Sequence, residues 1–297
     1  MTHTHRHPHH HGNGGHHLGH GQGGHHEGSN GGQAEILDLD AEVLAEHIAS
    51  ITAWLPLKGE PRHIVDLGCG TGAGTFALLE RFLDAHVTAV DTSAEHLKLL
   101  REKACARGIQ ERVRIVRADL DHNDWPDLGR PDLVWASASM HHMANPDRAL
   151  RNVRELLAPG GLFAVVELAG VPRFLPTHAP ENRPGLEERA HAATNSFHAE
   201  RVPHRGADWG PMLTAAGFTV EDERTLTVSI AGPRSEAVGR YAYGVLQRIR
   251  SVAAPGLSPE DLAALDELLD TSSPNNLLLR EDLAVRTERT VWAARRA

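Results

Sequence analysis

Apolar and polar residues alternate along this chain with two different periods. From residue 62 onward, short apolar runs that fit buried strands alternate with longer segments in which apolar residues recur every three or four positions, as on one face of a helix. The runs predict strands at 62–67, 86–91, 112–118, 132–137 and 162–168. Strands that alternate with helices favour a parallel sheet with helices on both faces. We therefore expect an α/β fold over this part of the chain.

Three other segments interrupt this alternation. Residues 34–58 carry apolar side chains at helical spacing, 170–206 is rich in Pro, His and Arg, and 232–283 contains two further helical patterns. We expect these segments to form helical lids over an edge of the sheet. Late apolar runs at 218–230 and 287–295 bring the predicted sheet to seven strands.

Local signals predict where the helices between the strands begin and end. Thr92 and Glu95 have the spacing of a capping box and precede a helix that Gly108 ends. Pro146 lies where a proline in the first turn starts a helix. The next turn, with two glycines at 160 and 161, leads into the fifth strand.

The first 33 residues consist largely of His and Gly and lack apolar periodicity. Such a segment cannot bury enough surface to offset the entropy of ordering it, so we expect a disordered tail. Because imidazole binds Zn, Cu and Ni, the tail could hold a metal weakly. The irregular spacing of its histidines does not match a structural zinc site, which favours a spacer without specific function. The sequence predicts no metal site elsewhere.

Composition argues against several classes of function. The formal net charge of −9 disfavours binding to DNA or RNA, which requires a basic face. No apolar run approaches the length of a membrane span and no signal peptide is recognisable, so no membrane partner is expected. The two cysteines, Cys69 and Cys105, are too few for a disulfide framework and fit a reducing compartment. We expect a soluble cytoplasmic protein with one domain over 34–297.

A glycine-rich stretch follows the first predicted strand. It reads Asp66-Leu67-Gly68-Cys69-Gly70-Thr71-Gly72-Ala73-Gly74. Glycines allow the backbone to turn sharply and to approach a ligand without a clash from Cβ. Asp91 ends the second strand, nineteen residues after Gly72, where a carboxylate can accept hydrogen bonds from ribose hydroxyls. Together these features predict a ligand that contains a nucleoside.

The stretch 65–72 resembles motif I of the class I S-adenosylmethionine-dependent methyltransferases, in which an acidic residue precedes Gly-x-Gly-x-Gly. The resemblance is close over 62–168 and looser over 208–230 and 287–295. It implies a Rossmann-like fold with S-adenosyl-L-methionine as the cofactor. The residues that it places at the cofactor are Asp66, Gly68, Cys69, Gly70, Thr71, Gly72, Asp91, Thr92, Asp119, Leu120 and Ser137.

Each acidic residue of that set has an expected role. The resemblance implies that Asp66 lies near the methionine part of the cofactor, that Asp91 binds the ribose, and that Asp119 lies near the exocyclic amine of adenine. A purely structural role remains open for three residues of this region, including Asp119. Cys69 can simply fill a tight loop, Gly74 can serve helix packing, and Asp119 can cap the turn that follows it.

Two other classes of function compete with this interpretation. An NAD-dependent oxidoreductase also binds its cofactor on a glycine turn with a downstream acid, but the glycine spacing and the acid at Asp66 are unusual for that class. The second competitor is a noncatalytic protein that keeps the cofactor fold and uses its histidine tail to bind a metal or a partner. The intact glycines and the acids Asp66 and Asp91 weigh against it.

The resemblance implies methyl transfer to an acceptor, which we expect to be a small molecule. A general base helps when the acceptor is a hydroxyl or an acidic carbon. The candidates are His141 and His142, in the loop after the fourth strand, although a histidine there can equally shape the loop by hydrogen bonding. Glu167, at the end of the fifth strand, can either face the substrate or be buried.

The acceptor pocket is expected in the lids. Their aromatic and imidazole side chains suit an apolar, partly aromatic small molecule, although each alone fits packing as well. These side chains are Phe174, His178, Phe197, His198, His204, Trp209, Tyr241 and Tyr243. The Asn/Asp-Pro-Pro-aromatic signature of enzymes that methylate DNA amines is missing at 136–139.

Overall fold

The computed structural model describes residues 30–199, 202–231 and 236–296. They form one seven-stranded sheet in the order β3-β2-β1-β4-β5-β7-β6, in which β7 alone runs antiparallel to its neighbours. The strands are β1 (His63–Leu67), β2 (His86–Asp91), β3 (Val113–Arg117), β4 (Leu133–Ser137), β5 (Leu162–Leu168), β6 (Phe218–Ala231) and β7 (Ala284–Arg296). The predicted seven-stranded, mostly parallel sheet is therefore confirmed.

Nine helices lie among the described residues. They are α1 (Asn30–Val43), α2 (Ala45–Trp54), α3 (Ala73–Arg81), α4 (Ala94–Ala106), α5 (Pro146–Leu156), α6 (Leu186–His198), α7 (Trp209–Ala215), α8 (Glu236–Ala253) and α9 (Pro259–Leu269). Below, the cofactor half means β1 to β4 with α3 and α4, and the cap means α1, α6, α8, α9 and the segment 170–185.

Both faces of the sheet are buried, as β5 shows. Leu162, Ala164 and Val166 pack on one face with residues of α2 and α3, such as Ile51. The side chains between them, including Phe163, pack on the other face with residues of α5 and α7. Because successive side chains of a strand point to opposite faces, a strand covered on both sides is apolar throughout, which explains the continuous apolar runs in the sequence.

The cap has an apolar core of its own. Tyr241, Leu246 and Ile249 of α8 lie in its centre, together with Leu265 of α9 and Phe174 of the preceding segment. All of these side chains are buried. The predicted helices of 232–283 and the N-terminal helical segment therefore pack against each other.

Some local predictions are corrected by the structure. Helix α1 begins at Asn30, so residues 30–33 of the predicted disordered tail are helical, whereas residues 1–29 lie outside the described residues. The cap of α4 is Ser93 and not Thr92, because the Ser93 side chain accepts a hydrogen bond from the His96 N–H. Pro146 does begin α5, behind an Asn145 cap. The last strand starts at residue 284, earlier than predicted, since it pairs with β6 along its whole length.

Candidate functional site

Three glycines shape the loop between β1 and α3. Their φ angles are +69° at Gly68, +52° at Gly70 and +102° at Gly72, in the left-handed region that side chains disfavour. A Cβ on Gly68 would lie 2.4 Å from the Cβ of Ser139, and one on Gly70 would lie 3.2 Å from Leu37 Cδ1. The loop is thus a cradle of bare backbone at the carboxyl ends of the strands, which fits the close approach of a nucleoside ligand.

Asp91 lies at the end of β2, beside this loop. Its carboxylate accepts hydrogen bonds from the backbone N–H groups of Gly70 at 2.9 Å and of Ser93 at 2.8 Å. Burial alone would raise the pKa of Asp91, but hydrogen bonds from His96, Ser93 and Gly70 outweigh it and lower the pKa. The side chain is therefore an ionised acceptor held against the cradle, as ribose recognition requires.

Asp66, in contrast, is buried beneath the loop, with 2% of its surface exposed. Its Oδ2 accepts a hydrogen bond of 2.6 Å from the Thr75 hydroxyl on α3. Burial raises the pKa of Asp66 to about 7, against the opposing effect of the Thr75 hydrogen bond. A Cβ on Gly74 would lie 2.5 Å from Trp135 Nε1 and 3.2 Å from Asp66 Oδ2, so this glycine allows α3 to pack closely over the acid.

Helix α1 closes over the cradle. The Thr71 hydroxyl donates a hydrogen bond of 2.5 Å to Asp38 Oδ1. The Lys103 ammonium on α4 also donates to Asp38, and it lies 3.3 Å from the Thr71 carbonyl oxygen. The glycine loop is therefore tied to the cap through one carboxylate.

The remaining residues that are expected at the cofactor differ in how far their side chains are exposed. Asp119 is exposed at the end of β3, and its Oδ1 accepts a hydrogen bond from the Asp121 N–H at 2.9 Å, so it caps its own turn. The side chains of Leu120 and Cys69 are buried at 5% and 6% exposure. The Cys69 N–H donates to the Val90 carbonyl oxygen at 3.0 Å, and the Leu120 carbonyl oxygen accepts from Trp125 Nε1 at 3.1 Å. Burial raises the pKa of the Cys69 thiol. Ser137 and Thr92 lie where predicted, at the ends of β4 and β2.

The loop after β4 carries a buried histidine–carboxylate pair. His141 lies in a short 3₁₀ helix, Met140–His142, and its Nδ1 is 2.6 Å from Glu167 Oε2. The His141 backbone N–H donates to the other carboxylate oxygen at 3.2 Å. Both side chains have 2% of their surface exposed, whereas His142 is exposed and its ring centroid lies 4.1 Å from that of His141.

A turn with one strained residue and a hydrogen bond place this loop against the cradle. Ala138 has a φ of +51°, the only non-glycine among the described residues in the left-handed region. The turn places the Ser139 hydroxyl 2.8 Å from the Leu67 carbonyl oxygen, to which it donates. The loop after β4 and the glycine loop are therefore fixed relative to each other.

Comparisons with known proteins agree with this geometry. A family model described as a methyltransferase domain matches residues 65–163. A trans-aconitate 2-methyltransferase of Mycolicibacterium gilvum is 33% identical over 222 residues, which cover 72% of this chain and 80% of that protein. The chain belongs to the class I S-adenosylmethionine-dependent methyltransferase family. The family's cofactor is S-adenosyl-L-methionine, and this membership argues against the oxidoreductase interpretation.

Other similarities to this methyltransferase are shorter or more distant. A trans-aconitate 2-methyltransferase of Acidovorax sp. (strain JS42) is 41% identical over 105 residues, and the match spans 35% of this chain but only 38% of that protein. A protein of Bacillus halodurans C-125 with a solved structure has a TM-score of 0.54 at 18% identity, covering 84% of this chain and 98% of its own. The latter shows the fold alone.

Most of the aromatic lid residues of the methyltransferase pack into cores. Phe174 and Tyr241 are buried in the cap with their rings edge to face, 5.2 Å apart between centroids. Trp209 is fully buried under the sheet. The Tyr243 hydroxyl lies 3.2 Å from the Leu269 carbonyl oxygen, and Phe197 is partly exposed. The side chain of His198 lies outside the described residues.

Neither a metal site nor a membrane span is evident in the described part of the methyltransferase. No group of three or more His, Cys, Asp or Glu side chains in that part is arranged to hold a metal ion. The predicted weak metal binding by the tail concerns residues outside it. The described helices also lack the length and apolar character needed to cross a membrane.

Several site residues escaped the sequence analysis. Ser139, Thr75, Asp38 and Lys103 contact the glycine loop or its acid, but each contact joins different elements, up to 72 positions apart in the case of Ser139 and Leu67. Their residue types are common on any surface. No local spacing could have revealed them.

Proposed function

We propose that this methyltransferase transfers a methyl group from S-adenosylmethionine to a small-molecule acceptor. The observation that carries the proposal is the glycine cradle with Asp91 anchored beside it. The cofactor supplies a sulfonium that activates its methyl group for displacement. The protein has to hold the nucleoside, align the acceptor and exclude water. The names of the relatives, which refer to methylation of trans-aconitate, support a small acceptor.

The residues of the cradle divide the work of cofactor binding. Asp91 accepts hydrogen bonds from the ribose hydroxyls, while Gly68, Gly70 and Gly72 leave room for the ligand beside the backbone. Asp66 lies near the methionine part and favours a cationic group. Asp119 and the backbone of Leu120 meet the adenine. The other backbone contacts come from Cys69, Thr71, Thr92 and Ser137.

His141 is the better of the two candidates for a general base. Carboxylate oxygens accept hydrogen bonds, so the 2.6 Å contact with Glu167 makes Nδ1 the donor. Nε2 then remains to accept a proton from the acceptor, in the way that a carboxylate orients a catalytic histidine in other enzymes. His142, in contrast, has an exposed side chain.

Calorimetric titration with S-adenosylmethionine tests cofactor binding. Asp91→Ala should weaken binding by about 1–3 kcal/mol, the scale of hydrogen bonds to a charged group. Asp84→Ala, in the exposed turn that precedes the same strand, is the matched control and should bind normally. Equal affinity of the Asp91 and Asp84 variants would remove the cradle as the cofactor site.

Methyl transfer is tested with labelled cofactor and an extract of cell metabolites. If His141 is the base, His141→Gln should lower kcat by about 10²–10⁴-fold without changing cofactor affinity. Glu167→Gln should lower kcat less and shift its pH profile, because Glu167 acts by positioning His141. Cofactor binding with no labelled product from any acceptor would favour the noncatalytic alternative. Deleting residues 1–29 separates any metal binding by the tail from cofactor binding.

Composition supports two further parts of the proposal, which concern the kind of partner and the compartment. The net charge of −9 supports a partner that is not a nucleic acid. Cys69 and Cys105 are both free thiols, which supports a reducing compartment such as the cytoplasm.

A further inference from the structure

The N-terminal helical segment bends at Leu44, where it passes from one apolar core to another. Leu39 of α1 and Leu44 lie in the core of the cap, whereas Ile51 of α2 lies in the core between the sheet and α3. Leu44 has φ −102° and ψ 13°, away from helical values, although its N–H still donates to the Asp40 carbonyl oxygen at 2.9 Å. A bend at the end of an element can absorb a change of angle. Helix α1 can therefore turn with the cap relative to α2.

The contacts that hold α1 on the cap are buried. Asp40 accepts hydrogen bonds at 2.7 Å from Arg289 Nη2 at both of its oxygens, and another from the Tyr241 hydroxyl. Arg289 and Tyr241 have 5% and 2% of their surface exposed. Ile36 lies so close to α8 that a Cβ on Gly244 would be 2.9 Å from its Cγ1. Because breaking a buried charge pair costs about 3–5 kcal/mol, α1 and the cap stay together.

The contacts that hold α1 on the glycine loop are more accessible to water. Asp38 accepts a hydrogen bond of 2.5 Å from the Thr71 hydroxyl and pairs with the Lys103 ammonium. The side chains of Asp38 and Lys103 are 41% and 30% exposed, and an ion pair of this kind contributes less than about 1 kcal/mol. Beside them, Leu37 Cδ1 lies 3.2 Å from the position of a Cβ on Gly70. The side of α1 that faces the loop is therefore the side that separates first.

We propose that Asp38 is a positioning residue: with Thr71 and Lys103 it forms a latch that holds α1 on the cofactor cradle and must open for the cofactor to exchange. The proposal rests on the function proposed above and adds the control of exchange at that site. Thr71 belongs to the glycine loop and Lys103 to α4, so one carboxylate joins α1 to both elements beside the cradle. A methyltransferase must release S-adenosylhomocysteine after each turnover, so the latch sets how fast the site reloads.

Surface plasmon resonance of the immobilised protein with S-adenosylhomocysteine measures both rate constants of exchange. Asp38→Asn should increase the dissociation rate constant about three- to ten-fold, the scale of a lost ion pair and hydrogen bond. The association rate constant should be equal to that of the wild type or higher, because an open latch does not obstruct entry. The melting temperature should stay within about 3 °C of the wild type, since the latch is half-exposed.

Glu35→Gln is the matched control, because it removes the same charge from the same helix. Glu35 pairs with Arg240 of α8 at 2.6 Å, on the side of the cap, and the two side chains are 54% and 51% exposed. This variant should keep both rate constants of the wild type. Lys103→Gln tests the latch from its other partner and replaces Asp38→Asn if that variant does not fold. It should also raise the dissociation rate constant, and combining it with Asp38→Asn should add little further.

Salt provides a readout that a merely structural role of Asp38 would not change. Raising sodium chloride from about 0.05 M to about 0.5 M screens a half-exposed ion pair. Dissociation of S-adenosylhomocysteine should therefore accelerate more in the wild type and in Glu35→Gln than in Asp38→Asn. An equal acceleration in all three proteins would overturn the latch.

The outcomes separate the latch from the proposed function. Failure of the wild type to bind S-adenosylhomocysteine would remove both. Normal binding by the wild type, with equal dissociation rate constants for Asp38→Asn and Glu35→Gln, would overturn the latch and leave the function standing. Slower association of Asp38→Asn with unchanged dissociation would overturn it as well, because Asp38 would then only shape the loop.

Discussion

The cofactor half and the cap of this methyltransferase treat buried carboxylates in opposite ways. Asp66 of the cofactor half accepts hydrogen bonds from the hydroxyl and the backbone N–H of Thr75, and burial raises its pKa to about 7. Asp261 of the cap accepts hydrogen bonds from Arg189 and Arg183, which lower its pKa to about 2. Among the described residues, no cationic side chain forms an ion pair with this acid of the cofactor half. The cap uses ion pairs as structural ties.

The two regions also differ in what holds their backbones. In the cofactor half, glycines allow loops to approach each other closely, as at Gly68 and Ser139. In the cap, charged side chains bind backbone and other side chains: Glu187 accepts hydrogen bonds from the N–H groups of Phe174 at 2.7 Å and Leu175 at 2.9 Å. The close approach of loops at glycines leaves a motif in the sequence, because only glycine fits there. Side-chain contacts like those of the cap join residues from separate elements and leave no local motif. The family model matches residues 65–163.

The largest effect is expected from a side chain on the close-packed glycine. Gly68→Ala adds a Cβ 2.4 Å from that of Ser139 at a φ of +69°, so it should cost about 2–5 kcal/mol of the free energy of unfolding. Gly108 is the matched control, with a φ of +68° and no atom within 4 Å of its added Cβ. Gly108→Ala should cost about 1–2 kcal/mol from backbone strain alone. Equal losses in urea titrations would show that close packing is unimportant.

The pH dependence of stability should next distinguish the two regions. The folded pKa of Asp66 exceeds its unfolded value of 3.8, so the folded state holds an extra proton between about pH 4 and 7. Its contribution to stability is therefore lost as the pH rises through that window, by up to about 4 kcal/mol.

Asp66→Asn removes this titration. Relative to Asp66→Asn, the wild type without cofactor should become less stable from pH 4 to pH 8, as measured by urea unfolding. Asp84→Asn, an exposed substitution, is the control and should change with pH in parallel with the wild type. The Asn variant should also bind S-adenosylmethionine more weakly at pH 8. A difference that stays constant with pH would contradict the buried, protonated acid.

A smaller effect of opposite sign is expected in the cap. The folded pKa of Asp261 is about 2, below its unfolded value of 3.8, so its stabilisation is present above about pH 4 and is lost as the pH falls toward 2. Because its arginine partners are 33% and 44% exposed, about 1–2 kcal/mol is expected. Asp261→Asn should show this loss at pH 6 and little loss at pH 2 in unfolding monitored by circular dichroism. An equal loss at both pH values would indicate a packing effect instead.

The smallest effect is expected where the two regions meet. Lys103→Ala removes one of the contacts between α4 and Asp38 of α1, an ion pair whose side chains are 30% and 41% exposed. It should cost less than about 1 kcal/mol of stability. Lys98→Ala, on the exposed side of the same helix near Glu102, is the control. Faster hydrogen exchange of α1 in the Lys103 variant alone would show that this contact holds the helix on the cradle.

Much of the cofactor half was predictable from the sequence. Apolar runs and glycine turns are local signals, and they predicted the strands and the placement of Asp66 and Asp91 at strand ends. The start of α1 at Asn30 and the full length of β7 were not predictable in the same way. Both depend on what a segment packs or pairs with, which local propensity does not encode.

The sequence by itself thus determined the sheet and the cradle, because backbone geometry at the ends of parallel strands demands particular residues at particular spacings. Only the tertiary structure decided the surroundings of the loop after β4. The pairing of His141 with Glu167 joins residues from separate elements. Their chemistry arises from burial and from neighbouring charge, which exist only once the chain is folded.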